Sequence, residues 1–236
     1  MAILGHGGAL SATLQGVMDR FSAGRGDVSL PPGLRLDGRL VMVTGASRGL
    51  GLAIAEGLGG LGATVLAAVR SRGAETVAAI DAAGGRGLTL PLDLERLASV
   101  DALVDALVAA DHQLDVVVLN AGMVPVRSRR SPDGLDAMFQ VNFLSNVHLV
   151  DALIRRGRLK PGARVVVVGS EAHRTARPID FARFGEARDY GTAEVVAEYG
   201  VTKLHLHTWV VELGRRHPEL AVHHLCPGAV ASEIAR

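Results

Sequence analysis

Thr44-Gly45-Ala46-Ser47-Arg48-Gly49-Leu50-Gly51 is the stretch whose reading decides the fold. Leu40-Val41-Met42-Val43 precedes it, a short apolar run that reads as a buried strand. Leu52-Ala53-Ile54-Ala55-Glu56-Gly57-Leu58 follows and reads as a helix with an apolar face. A glycine-rich turn from strand to helix is an anion site on physical grounds. Gly45, Gly49 and Gly51 let the backbone turn tightly and approach a pyrophosphate with no Cβ in the way. The unpaired N–H groups and positive dipole end of the next helix then face that anion. The spacing, Gly-x-x-x-Gly-x-Gly, is one residue longer than the usual dinucleotide fingerprint. In a chain with 29 glycines such a cluster can also be a plain loop. Its place between a strand and a helix favours the phosphate site.

Outward from this turn, strand-like and helix-like segments alternate. Strands are expected at Leu40–Thr44, Thr64–Val69, Gly87–Pro91, Asp115–Leu119, Arg164–Val168 and Leu220–Leu225. Helices are expected near Gly51–Leu61, Gly73–Ala83, Leu94–Ala110, Asp133–Arg156 and Thr192–Arg216. The strands are rich in Val and Leu and mostly lack alternation, as when both faces are covered. Right-handed crossovers then give an α/β fold, a doubly wound parallel sheet of the Rossmann type, in a single domain over residues 39–236. The composition agrees: hydrophobic residues make up 48% and aromatics 3%, which suits an aliphatic core.

Residues 1–38 lie outside this alternation. Leu10, Leu14, Val17, Met18 and Phe21 share a helical face, so an amphipathic helix packing on the domain or a partner is expected, followed by a linker from Ser22 to Gly38. A net charge of +1 without a basic block speaks against a nucleic-acid surface. The single cysteine, Cys226, excludes an internal disulfide and suits a reducing compartment. No secretion signal or bilayer-length apolar run is evident, so a soluble cytoplasmic protein without a transmembrane segment is expected.

Tyr199-Gly200-Val201-Thr202-Lys203 falls in a helical segment, so Tyr199 and Lys203 share a face one turn apart. An accidental surface pair is one reading and an acid–base dyad the other. A free phenol titrates near ~10, too high for proton transfer at neutral pH, and an adjacent ammonium would lower it. Ser170 follows Val165–Val168 at the carboxyl end of a strand, the edge where open α/β sheets bind ligands, although a serine there is also an ordinary turn residue. Asn120-Ala121-Gly122 likewise ends a strand and also suits a simple turn. Asn142 sits mid-helix, where asparagine is a mediocre choice unless its amide is used.

Together and in this order, the glycine-rich turn, Asn120-Ala121-Gly122, Asn142, Ser170, Tyr199 with Lys203, and Pro227-Gly228 resemble the motifs of the short-chain dehydrogenase/reductase family over Leu40–Glu233. The resemblance implies an oxidoreductase that interconverts an alcohol and a carbonyl. Tyr199 would be the acid/base and Lys203 would lower its pKa and hold the nicotinamide ribose. Ser170 would polarise the substrate oxygen, and Asn142 would anchor a water in the proton relay. Nucleotide contacts are implied at Thr44, Gly45, Ser47, Arg48, Gly49, Leu50, Gly51, Arg70, Asp93, Leu94, Asn120, Ala121, Gly122, Tyr199, Lys203, Pro227, Gly228 and Val230. The second strand ends Val69-Arg70-Ser71-Arg72 with no carboxylate, and Arg70 with Arg48 suits a 2′-phosphate, so NADP(H) is the expected cofactor. A homodimer or homotetramer is also implied, through the Asp133–Arg156 and Thr192–Arg216 helices.

Two features depart from the family pattern. Glu171–Glu198 is a long insertion carrying His173, Asp180, Phe181, Phe184 and Tyr190, similar to the retinol-dehydrogenase-like branch and suggesting a lipophilic substrate. The histidines, including His205, His207, His223 and His224, show no ligand spacing, and no metal is expected. The sequence ends at Arg236, where family members continue into a substrate lid and a seventh strand, so the sheet is expected to lack its last strand. That departure leaves a second expectation: a nucleotide-binding protein with little catalysis, in a regulatory or scaffold role.

Overall fold

The computed structural model describes residues 30–192 and 194–228. The expected N-terminal helix (Leu10 to Phe21) and Val230 lie outside the described residues. Among the described residues, six parallel strands form one sheet in the order β3-β2-β1-β4-β5-β6. They are β1 Leu40–Thr44, β2 Thr64–Val69, β3 Arg86–Pro91, β4 Leu114–Leu119, β5 Leu159–Val168 and β6 Ala221–Leu225. Five helices join them: α1 Gly49–Gly60, α2 Gly73–Ala82, α3 Leu97–Ala109, α4 Ala137–Arg155 and α5 Val195–Arg216.

Strand residues alternate between two aliphatic layers, as a doubly covered sheet requires. Val41, Val43, Val65 and Ala67 face α1 and α2, packing with Ala55 and Ile80. Met42, Leu66, Val117, Val165 and Val167 face α3, α4 and α5. On α3 the buried Val100, Leu103, Val104 and Leu107 form the i, i+3, i+4, i+7 stripe that seats a helix on such a sheet. After β3 the chain crosses back to place β4 beside β1. The carboxyl ends of β1 and β4 therefore flank the topological switch point, where an open α/β sheet has its crevice.

Two elements differ most from the sequence expectation. β5 starts at Leu159, not Arg164, because a register shift against β4 between Leu114 and Val116 absorbs Pro161 and Gly162. A bulge accommodates residues that otherwise signal a turn. The helix expected over Asp133–Arg156 starts later, at Ala137, where Asp136 Oδ1 accepts the Phe139 N–H at 2.8 Å. It then passes through a π turn at Gln140–Leu144 before resuming at Ser145. Buried polar side chains in and just after this turn bond to the surrounding fold: Gln140 Nε2 donates to Asp133 Oδ2 at 2.6 Å, Ser145 Oγ to Leu94 O at 2.6 Å, and Asn146 Nδ2 to Val141 O at 3.0 Å. The same α4, Ala137–Arg155, is long and apolar enough to cross a bilayer by length and composition, contrary to the sequence reading. It is 72% buried within the fold, which is the setting of a core helix.

Candidate active site

The glycine-rich turn is held from behind. Thr44 is fully buried at the end of β1, and its Oγ1 accepts the N–H groups of Asn120 and Ala121, both at 3.1 Å, from the end of β4. Asn120 Nδ2 returns the contact, donating to Thr44 O at 3.1 Å and Gly45 O at 3.4 Å. The Thr44 and Asn120 side chains, expected among the nucleotide contacts, lock the two strand ends that flank the crevice. Gly51 fits beneath this lock only because it has no side chain: a Cβ there would lie 2.3 Å from Gly45 O and 2.5 Å from Asn120 Nδ2. Gly45 and Gly49 take left-handed backbone angles (φ +67° and +54°) that favour glycine. Arg48 precedes the first turn of α1, and Ser47, Arg48 and Gly49 are at least partly exposed on its open side. The helix N-terminus and its exposed turn backbone are the donor set a pyrophosphate requires, so the residues present fit a dinucleotide.

Around the adenosine end of the crevice the expectations divide. Arg70 leaves β2 exposed, with Nη1 3.5 Å from Glu95 Oε1. Asp93 follows β3 half-exposed and accepts the Glu95 N–H at 3.1 Å. Leu94 does not present its side chain to a ligand. It is buried in the core, and its carbonyl is taken by Ser145. Glu95, which the sequence did not single out, is buried and held by both Nη atoms of Arg129 at 2.5 and 2.6 Å. The Arg129 hydrogen bonds hold its carboxyl below the ordinary glutamate value despite burial. The pair is separated by 34 residues, so no local spacing could reveal it.

At the carboxyl ends of β5 and β6 the structure brings Ser170, Tyr199 and Lys203 together. Gly200 lets α5 press against the 3₁₀ turn Glu171–Thr175, since a Cβ there would lie 2.4 Å from Ala172 O. That approach sets Tyr199 near Ser170, whose hydroxyl favours the phenolate. Ser170 Oγ also accepts the Ala172 N–H at 3.2 Å, capping the turn that fixes it. Lys203 Nζ lies 5.7 Å from the centre of the Tyr199 ring, as the one-turn spacing predicts.

The electrostatic expectation for this pair is corrected. Lys203 Nζ donates to Val168 O at 3.1 Å, and the side chain is 4% exposed. Burial pulls the lysine down to about 8. The Tyr199 phenol is held above its ordinary value by burial, only partly offset by Ser170. Desolvation disfavours both charged forms. Asn142, expected to anchor a water, is hydrogen-bonded through its whole side-chain amide. Its Oδ1 accepts the Met123 N–H at 2.8 Å, and its Nδ2 hydrogens go to Met123 O at 3.0 Å and Thr202 Oγ1 at 3.1 Å. With both amide hydrogens used, this fully buried side chain clamps α4 to α5 and to the loop after β4. Thr202, inside the Tyr199–Lys203 segment, is a clamp residue the sequence reading passed over.

Histidines distant in sequence also converge here. His173 Nδ1 lies 2.8 Å from Ser170 O, and its ring stacks on His207 with centres 5.2 Å apart. His207 Nδ1 approaches His224 Nδ1 at 3.2 Å. His223 is exposed on β6, and His205 is buried elsewhere, among Phe139, Phe143 and Phe184. Pro227 and Gly228 follow β6, exposed.

Comparison with known proteins matches residues 39–182 to the family described as short chain dehydrogenase. The chain is 37% identical over 160 residues to the short chain dehydrogenase rstn4 of Aspergillus nomiae, a match that covers 59% of this chain and 42% of that protein. It thus spans less than half the length of that relative. Retinol dehydrogenase 14 of Mus musculus is 32% identical, with 100% of this chain and 76% of that protein covered. The Pseudomonas aeruginosa RhlG/NADP active-site complex superposes with a TM-score of 0.68 at 28% identity, covering 86% of this chain and 77% of that one.

Proposed function

We propose a function from one established premise: this chain belongs to the short-chain dehydrogenase family, whose members are oxidoreductases. On our reading it is an NADP(H)-dependent oxidoreductase that interconverts a lipophilic alcohol and its carbonyl, working as a homo-oligomer through a domain that occupies residues 39–236. The observation that carries the reading is the grouping of Ser170, Tyr199 and Lys203 at the same carboxyl edge of the sheet as the glycine-rich turn. The bound nicotinamide would supply or accept the hydride. Tyr199 holds the proton that passes to the carbonyl oxygen, and its raised pKa keeps the phenol protonated, the form needed for reduction. Ser170, fixed by its cap on Ala172, orients that oxygen. Lys203 and the backbone of Gly45–Gly51 would bind the ribose and pyrophosphate. Arg70 and Arg48, with no carboxylate at the end of β2, support NADP(H), and the RhlG neighbour was solved with NADP. The names of the retinol dehydrogenase relatives support the substrate class.

The test is NADPH oxidation, with NADH alongside, over aldehydes and ketones from small to long-chain. Tyr199→Phe should abolish turnover and leave nucleotide binding intact. Unchanged turnover in that variant would overturn the assignment. A second reading, a nucleotide-binding protein with little catalysis, is favoured by Lys203 directing its ammonium to Val168 O and not to the phenol. NADPH binding with no turnover of any carbonyl would select it.

A further inference from the structure

The end of β2 carries no carboxylate in sequence, yet the fold brings one to it. Glu95, from the start of the segment leading into α3, places Oε1 3.5 Å from Arg70 Nη1. A carboxylate there has three effects on a dinucleotide. It draws Arg70 into an ion pair, it repels a 2′-phosphate, and it offers acceptors to a 2′-hydroxyl. All three favour NAD(H) over NADP(H). In this chain the carboxylate is already occupied. Arg129, from the loop after β4, takes both oxygens in a fork, Nη1 to Oε2 at 2.5 Å and Nη2 to Oε1 at 2.6 Å. The contact to Arg70 is the long one of the three. Glu95 is 8% exposed, so its charge is poorly screened by water and its partner matters. The same loop is anchored on α3 a few residues on, where Asp133 Oδ2 accepts the Leu97 N–H at 2.8 Å. Arg129 is therefore held over Glu95 by the fold.

We infer that Arg129 is a specificity-determining residue: by occupying the Glu95 carboxylate it leaves Arg70 available to a 2′-phosphate and so sets the preference for NADP(H). The inference rests on the NADP(H) reading above. Arg129 acts through Glu95 and Arg70, so it is a positioning residue. Its removal exposes a buried carboxylate to Arg70 and converts the pocket toward NAD(H).

The experiment is a fluorescence titration of the full chain with NADPH and with NADH, independent of turnover. Arg129→Met should weaken NADPH binding about tenfold or more, the scale of one charge-assisted contact, with NADH binding unchanged or tighter. Arg129→Met combined with Glu95→Gln should restore the NADPH preference, because no carboxylate remains to capture Arg70. Glu95→Gln alone, which leaves the fold's packing intact, should keep or increase that preference. Equal weakening of both nucleotides by Arg129→Met, or failure of the double variant to recover, would overturn the inference. A wild-type chain that binds NADH as tightly as NADPH would instead overturn the cofactor reading, and the inference with it.

Discussion

Replacing Lys203 by methionine should stabilise the folded protein at neutral pH while removing its activity. The lysine is 4% exposed and titrates at about 8, against an ordinary value of 10.5. At about 1.4 kcal/mol per pH unit, burying its charge costs the native state about 3 kcal/mol wherever both folded and unfolded lysines are protonated. Its hydrogen bond to Val168 O offsets part of this. Losing that bond costs about 1–2 kcal/mol, so Lys203→Met should gain about 1–2 kcal/mol at pH 7. Because the folded pKa is depressed, the wild-type penalty is in full force below about 8 and is relieved as pH climbs toward 10.5. Over that window the unfolded chain binds more protons than the native one, and wild-type stability rises relative to the variant. Urea unfolding of both proteins from pH 6.5 to 10.5 should show the variant more stable at the acid end. The two curves should cross near pH ~9, with wild type the more stable beyond it. A variant that is less stable at every pH, by a constant margin, would refute the claim that the lysine is buried charged at a cost.

Other perturbations follow from the same geometry. Gly51→Ala sets a Cβ against Gly45 O and Asn120 Nδ2, neither of which can retreat without breaking the strand-end lock, so it should cost about 2–3 kcal/mol and impair NADPH binding. Gly49→Ala, whose Cβ meets open space, should cost only the left-handed backbone strain of about 1 kcal/mol in the same urea assay. Thr44→Val keeps the shape but strands the N–H groups of Asn120 and Ala121, for a loss of about 2–3 kcal/mol and weaker nucleotide binding by fluorescence titration. Asp136 is buried, and burial raises its carboxyl pKa. Its favourable contribution is thus complete below the ordinary value of 3.8 and lost as pH rises through the folded value. Asp136→Asn, which keeps an oxygen for the Phe139 N–H, should therefore be more favourable relative to wild type at pH 7 than at pH 4. Equal effects at the two pH values would contradict this account.

What the sequence determined by itself was local. The Val- and Leu-rich runs and the glycine turn specified a parallel doubly wound sheet, because burial on both faces and a tight backbone approach leave their mark residue by residue. Strands β1 and β2 lie where the apolar runs placed them, and Tyr199 and Lys203 share a face because a helix repeats every 3.6 residues. Only the tertiary structure decided the rest. The buried polar bonds around the π turn in α4 depend on partners such as Leu94 O for Ser145 and Asp133 for Gln140, and the length of β5 depends on a bulge against β4. The clamping bonds of Thr44, Asn120 and Asn142 were not legible, because they run to groups about 20 to 77 residues away. The protonation of Tyr199 and Lys203 followed from burial, which their spacing does not encode. The carboxylate missing from the end of β2 was supplied by Glu95 and neutralised by Arg129 across the fold. Periodicity and turn chemistry are written along the chain, whereas desolvation and long-range charge pairing exist only once the chain has closed on itself.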